Sequence, residues 1–589
     1  MQNTKKLKII GFTGLILAVF MGALDATIVN IALPDIMTDL NAGLTDASWV
    51  GTIYVLAMAA FIITASKLAD IYGRKIVMLI GIVLFGGFSF ACMTANSLSL
   101  LIIYRFFQGI GGAIMTPIVL PMGLELFGKE NTSKVAAAVG AFSAVAAAAG
   151  PAIGGIIINS ATYHWIFGIN VPIAIIAFIA IFIGTKESYD RSVLRSVDWA
   201  GMILLILFMG GLTFSLLEGR DYGWTSTTII IAFTISIISL ILFIITELKV
   251  KEPTIDLNLF KEKTFTASSI IYAIFGFAII APSLILNYFL QNVRHYSALH
   301  ASYLIIPTSL FIAIGMIAAT KMYRKISSRL LIAVGLIITT GGLLMLSVIR
   351  YETSAAVIIG CNIIIGLGLG FTAMSFTSSV KFLPANKTGI GSGVVNASRY
   401  IGQAIGMALL VTALNNNIAD ARLNIKSAAN HQIRTRNLSK NVKHVFHDEI
   451  QKNFKYSKSS SDISGKQASI KKNVKKAAEQ TTELPLPKPN SNYRKLYDAN
   501  TKLNDGAKEI ANVPQLSRYV SPLILGQDKV LTAIKLLAQK DELTQALDEI
   551  KETKNNEISH AFDKVFLLTG ILTLLCVPLS IWTDKKRNV

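Results

Sequence analysis

The residues able to do chemistry in this chain are few, and they sit in apolar company. Asp25 lies in VFMGALDATIVNIALP, with no other charge between Ile9 and Pro34. Arg105 lies in YRFFQGIGGA, inside another apolar run. A carboxylate at the centre of a bilayer costs roughly 2.5–3.5 kcal/mol on insertion scales, so it normally faces a cavity or a partner. If the first run is a helix ending near Leu33, Asp25 lies ~12 Å below that end at a helical rise of about 1.5 Å per residue. On a helix returning from Leu98, Arg105 lies ~10 Å below the start. The two charges then share a depth and meet directly or through water. Burial disfavours an ionised carboxylate and a nearby guanidinium favours it. A change in their separation would therefore make Asp25 take up or release a proton. The same residues also fit a static ion pair that only locks two helices together. Arg399, in NASRYIGQAIG, is a further intramembrane cation. It lines a cavity, or it snorkels or binds backbone carbonyls.

Other reactive patterns are missing. No G-x-x-x-x-G-K-[ST] stretch offers to cradle ATP phosphates, and no H-E-x-x-H offers to hold a catalytic zinc. No catalytic residue, resident metal or cofactor is expected, and an enzyme reading is poor. His444 and His447 read as two solvated histidines rather than metal ligands. Cys92, Cys361 and Cys576 all fall in apolar runs and read as packing residues.

The elements that must position these charges are membrane spans. Of the 589 residues, 52% are hydrophobic and 15% charged, against about 25% charged in soluble domains. The apolar residues come in long runs, and a span needs roughly 20 of them. Fourteen are expected, near 9–33, 47–66, 76–95, 98–120, 135–158, 166–184, 199–217, 228–246, 265–289, 301–319, 330–349, 355–378, 391–414 and 565–581. The net charge of +20 does not point to nucleic acid, because many Lys and Arg residues sit at the ends of these runs. They cluster in alternate loops, among them YGRK, TKESYDRSVLRS, ELKVKEP, KMYRKISSR and the terminal DKKRNV. Basic loops stay inside, so both termini are expected in the cytoplasm of a multi-pass cell-membrane protein.

Between the last two spans, residues 415–562 turn polar. This insert is expected outside the cell, since long loops cross regardless of charge. SKSSSDISGKQASIKKNVKKAAEQ reads as low-complexity and mobile, and LPLPKP as a turn or extended linker. KVLTAIKLLAQKDELTQALDEIKE reads as an amphipathic helix running toward the last span.

Four stretches, in order and on the expected helices, resemble the major facilitator superfamily, specifically its fourteen-helix drug:proton antiporter branch. They are LDATIVNIALP with Asp25, Thr27, Asn30 and Pro34; KLADIYGRK with Asp70, Gly73 and Arg74; YRFFQGIGGA with Arg105, Gln108 and Gly109; and GPAIGG with Gly150, Pro151, Gly154 and Gly155, followed by HWIFGINVPI. The resemblance covers the membrane portion and says nothing of the insert. Ala146 stands where the family usually has glycine in the fourth motif. Ser66 and Ile71 depart from the second, and the matching loop TKMYRKISSR is degenerate. The tenth span, ASYLIIPTSLFIAIGMIAAT, carries none of the extra acid found in some relatives, which argues against divalent cations.

The resemblance implies two six-helix bundles rocking about a central cavity, with spans seven and eight as an inserted pair. The expected divisions are 1–185, 186–263, 264–414, 415–562 and 563–589. It implies Asp25 and Arg105 as the proton-coupling residues and the second motif as a latch for the outward-open state. The fourth motif becomes a hinge and seal, and Asp25, Asn30 and Arg399 line the cavity. The expected function is proton-coupled export of amphipathic drugs or toxic compounds. A carrier of the same fold dedicated to one metabolite or lipid, and a non-transporting receptor or scaffold, are the alternatives. The sequence leaves the oligomeric state open.

Overall fold

The computed structural model describes residues 2–128, 132–189, 198–219, 221–250, 253, 255, 257–323, 325–381, 383, 388–456 and 484–584. Among them the regular structure is all helical. Thirteen helices are long and apolar enough to cross a membrane. The first four are α1 (Gln2–Asp39), α2 (Leu44–Tyr72), α3 (Arg74–Met93) and α4 (Leu98–Phe127). A fourteenth apolar helix, α5 (Thr132–Ser160), follows them. Next come α6 (Trp165–Gly184), α7 (Trp199–Glu218), α8 (Thr227–Lys249), α9 (Lys263–Val293) and α10 (Ala298–Met322). Then follow α11 (Ser328–Leu346) and α12 (Ala355–Ser379). The remaining helices are α13 (Thr388–Thr435), α14 (Lys440–Tyr456), α15 (Asn492–Ala511) and α16 (Ser517–Leu575). The chain is a multi-pass membrane protein; the face at which α1 begins is here the N-terminal face.

Local chemistry sets several helix starts. The side chains of Ser97, Asp198, Ser226 and Ser297 each accept from a backbone N–H three residues on, at 2.8–3.4 Å, satisfying a donor that the helix itself leaves open. α9 relaxes to i→i+5 turns at Ala281–Ile285 and Phe289–Val293.

The chain separates into two compact units, Met1–Asn417 with Phe562–Val589, and Ile418–Ala561. In the membrane unit α1 packs on α5 and α6, and α2 and α3 pack on α4. In the second half α10 and α11 pack on α12. The inserted helices α7 and α8 pair with each other, and α7 rests on α2, where Trp49 Nε1 donates to Glu218 Oε1 at 2.9 Å. The two halves meet at α5–α10 and α1–α9. At the latter, Asn287 Nδ2 donates to the Asn30 carbonyl at 2.6 Å and Gln291 Nε2 to the Ile31 carbonyl at 2.9 Å.

Two helices run beyond their expected spans. The helix that carries the thirteenth span, α13, continues past 414 to Thr435. The helix that carries the last span, α16, begins at Ser517, takes in the amphipathic stretch expected to run toward it, and continues unbroken to Leu575. Hydropathy falls at the membrane edge, but an apolar stripe continues through Ile418, Ala421, Ile425, Ala429 and Ile433, all buried. Spacing of three and four residues keeps one face apolar, so the helix persists in the insert. That unit has its own core, in which Ala429, Ile433, Leu438, Val442 and Phe446 meet Leu543. Arg436 reinforces it by pairing with Glu549, and Lys488 Nζ reaches Glu542 at 2.7 Å. His444 pairs with Asp448 at 3.1 Å. Residues 484–488 form the irregular linker expected of LPLPKP. The low-complexity stretch 457–480 and the tail beyond Asp584 lie outside the described residues.

Candidate functional site

Asp25 and Arg105 meet directly. Arg105 Nη1 lies 2.6 Å from Asp25 Oδ2, and the two are 0% and 1% exposed. The other carboxylate oxygen, Oδ1, accepts from Gln108 Nε2 at 3.1 Å and Asn170 Nδ2 at 3.0 Å. Gln108 also accepts from Arg105 Nη1 at 2.7 Å and donates to Ser89 Oγ at 2.7 Å. Arg105 Nε donates to the Val50 carbonyl at 3.0 Å. Its guanidinium lies over the Tyr54 ring, 4.2 Å from the centroid. Such a buried pair is held by charge-assisted hydrogen bonds on both partners, which is the condition for tolerating charge out of water.

Close helix approach makes this geometry possible. A Cβ on Gly109 would lie 2.7 Å from the Tyr54 carbonyl, so only glycine lets α4 approach α2 this closely. That approach brings Arg105 to the Val50 carbonyl. A Cβ on Gly150 would fall 2.0 Å from Thr27 Oγ1, and one on Gly154 2.9 Å from Ile28. These two glycines seat α5 against α1 beside Asp25, and Pro151 lies between them within α5. Gly155 faces the other half, where a Cβ would meet Ser302 Oγ at 2.5 Å on α10. The fourth motif thus touches both the Asp25 helix and the opposing half.

One side of the pair is walled off. Ile28, Val29, Ala32 and Ile36 of α1 pack with Val50, Cys92, Ala95, Leu101, Ile166 and Phe167. All of these α1 residues lie beyond Asp25, away from the N-terminal face. The carboxylate is occluded, so reaching it requires this packing to change.

At the N-terminal face, Gly73 adopts φ +114° between α2 and α3, a conformation that favours glycine. Arg74 Nη2 lies 2.7 Å from Asp70 Oδ1, and Arg74 Nη1 lies 2.5 Å from Glu125 Oε1 at the end of α4. Glu187, beyond α6, accepts from the backbone N–H of Lys75 at 2.9 Å and Ile76 at 3.1 Å. Lys75 Nζ returns to the Phe182 and Thr185 carbonyls at 2.7 and 2.9 Å. The second half repeats this arrangement with other residues. Asp584, beyond α16, accepts from the Ser328 N–H at 3.3 Å and Oγ at 2.9 Å. Arg329 Nε donates to the Asp584 carbonyl at 2.7 Å.

Asn30 and Arg399 stand apart from the Asp25 cluster. Asn30 is 7% exposed and offers its carbonyl at the α1–α9 contact. Arg399 lies where α13 crosses α9; a Cβ on Gly276 would come within 2.1 Å of the Arg399 carbonyl. Sequence reasoning missed Asn170, Ser89, Tyr54 and the Val50 carbonyl. Asn170 lay within the HWIFGINVPI match, and a lone amide inside that apolar run was the available signal.

The comparisons agree with this architecture. The sequence profile described as the Major Facilitator Superfamily matches residues 15–407. The multidrug transporter protein MdtP of Bacillus subtilis (strain 168) is 33% identical over 405 residues, covering 68% of this chain and 74% of that protein. The multidrug resistance protein Stp of Mycobacterium tuberculosis (strain CDC 1551 / Oshkosh) is 33% identical over 419 residues, covering 70% and 76%. Among solved structures, an auto-inhibited POT family peptide transporter superposes with a TM-score of 0.54 at 12% identity, covering 81% of this chain and 98% of that one; this likeness concerns the fold alone. With the profile spanning most of the chain and relatives at 33% identity matching more than two thirds of it, the chain belongs to the major facilitator superfamily.

Proposed function

We propose that this protein is a proton-coupled antiporter that exports amphipathic small molecules across the cell membrane, with both termini in the cytoplasm. The carrying observation is the occluded Asp25–Arg105 pair at 2.6 Å. The names of relatives such as MdtP and Stp support small-molecule export, and the basic loops support the orientation.

Asp25 supplies the coupling. Ionised, it neutralises Arg105 and accepts from Gln108 and Asn170. A proton arriving from outside on Oδ1 or Oδ2 removes the negative charge and turns an acceptor into a donor. Arg105 then becomes a buried cation without its counter-charge, a costly state. The cost is relieved when α4 shifts relative to α1 and Arg105 gains water or new partners, which favours the inward-facing state. Release of the proton to the cytoplasm restores the pair. Asp70, Gly73, Arg74 and Glu125 act at the α2–α3 turn as the latch that this shift works against. Gly150, Pro151, Gly154 and Gly155 form the sliding seam.

The driving force is adequate. One charge crossing ~150 mV supplies roughly 3.4 kcal/mol, enough for about a 300-fold gradient of a neutral substrate at one proton per cycle. The test is substrate-evoked proton release from acid-loaded inverted vesicles. Wild type releases protons when a transported compound is added. Asp25→Asn is expected to lose uphill transport by at least about 100-fold while still binding substrate. Undiminished uphill pumping by Asp25→Asn would refute the coupling role.

A further inference from the structure

The membrane unit holds a further intramembrane cation that the coupling cluster does not use. Arg399 is half-buried within α13, and its Nε has no hydrogen-bond partner. Its guanidinium lies 4.4 Å from the centroid of the Tyr400 ring. Tyr272 of α9 and Tyr54 of α2 lie within electrostatic reach. Its neighbours therefore come from both halves. Among the described residues no carboxylate pairs with it.

Tyr54 links the two charges. One face of its ring carries Arg105. Its hydroxyl, on a side chain 1% exposed, has no hydrogen-bond partner. The hydroxyl of Ser268, one helical turn before Tyr272 and 0% exposed, is likewise without a partner. Buried donors are normally satisfied, and unsatisfied ones mark a missing partner. Here two hydroxyls and the Nε of a guanidinium that also bonds Tyr400 lack partners. Asp25, in the separate coupling cluster, has both oxygens occupied by Arg105, Gln108 and Asn170.

We infer that Arg399, with the Tyr54 hydroxyl, forms a binding site for the anionic group of an amphipathic substrate, whose apolar body stacks on Tyr272 and Tyr400. The inference rests on the export reading for its biological sense and narrows it to carboxylates, sulfonates or phosphates on an aromatic or acyl body. A planar guanidinium with an open Nε donor suits such groups, because hydrogen bonds between a cation and an anion are strong. A cationic substrate gains nothing here, since the uncompensated charge repels it and Asp25 is already neutralised.

The test uses purified full-length protein in detergent and two xanthene dyes of opposite charge, fluorescein and rhodamine 6G. Fluorescence anisotropy gives both dissociation constants without any gradient. Wild type is expected to favour fluorescein. Arg399→Gln should lower the fluorescein-to-rhodamine preference about tenfold or more, the range of a charged hydrogen bond. Arg399→Lys should retain most of it. Tyr54→Phe, which removes one oxygen, should lower it about threefold; this variant decides the matter if Arg399→Gln fails to fold. A wild-type preference for rhodamine 6G, or a preference unchanged in Arg399→Gln and Tyr54→Phe, overturns the site. Proton-driven dye movement in proteoliposomes is read separately. Fluorescein binding through Arg399 without transport sinks the export reading and leaves the site. Transport of rhodamine 6G without fluorescein binding does the reverse.

Discussion

The two halves of the membrane unit match at their N-terminal-face ends and differ in the middle. In the first, the acid after the sixth helix, Glu187, covers the opening N–H groups of α3, and Lys75 covers the closing carbonyls of α6. In the second, Asp584 covers the start of α11, and Arg329 covers the carbonyl beyond α16. Lys75 and Arg329 each occupy the second position of their helix. An acid at a helix start and a base at a helix end both complement the helix dipole. The same clamp is thus made twice with different side chains. Mid-membrane, by contrast, the first half holds a matched acid and base, and in the second Arg399 pairs with no carboxylate among the described residues. The comparison teaches that the mechanical joints are duplicated while the charges are not. Like joints from unlike side chains brace both halves at this face, while the charges between them are unequal.

The sharpest way to break this contrast is to remove each arginine in turn. Arg105→Ala leaves Asp25 buried without its counter-charge and should cost about 3–5 kcal/mol, read as a large fall in thermal unfolding temperature in detergent. Arg399→Ala removes a charge that has no acidic partner among the described residues and should change stability by less than about 1 kcal/mol. Equal losses in the two variants would mean that Arg399 has a structural partner after all. A smaller effect is expected at the seam. Gly150→Ala pushes a methyl to 2.0 Å from Thr27 Oγ1, and overpacking of this kind costs about 1–3 kcal/mol. Combining it with Thr27→Ala should recover part of the loss; no recovery would place the strain elsewhere. The smallest effects belong to the clamps. Glu187→Gln and Asp584→Asn should each cost about 0.3–1 kcal/mol, and the two values should agree within a few tenths. A large loss in only one would show that the halves are braced differently at that face.

How much of this was legible beforehand depended on the kind of signal. The Asp25–Arg105 meeting could be read because helical rise converts residue count into depth, and both charges are conspicuous in apolar runs. Gln108 and the glycines came with recognisable motifs. Asn170 and Ser89 did not, because an uncharged polar residue in a span carries no comparable depth signal, and which helices adjoin is not written in one sequence. Tyr54 was hidden for a similar reason, since its role depends on lying between two other helices. Glu187 and Asp584 were absorbed into the charge pattern of the loops, where topology explains most ionisable residues. The extension of α13 beyond the membrane was readable in the spacing from Ile418 to Ile433, but the drop in hydropathy masked it.

The apolar wall around Asp25, from Ile28 on α1 to Phe167 on α6, has a bearing on thrift. On the proposed antiport, a carrier resting without cargo would otherwise be a hole through which hydrogen ions drain the cell's battery, and insulating the acid behind tightly fitted aliphatic and aromatic groups would keep the idle molecule from short-circuiting it. Speed would be surrendered in exchange, since each turnover would wait for that insulation to part.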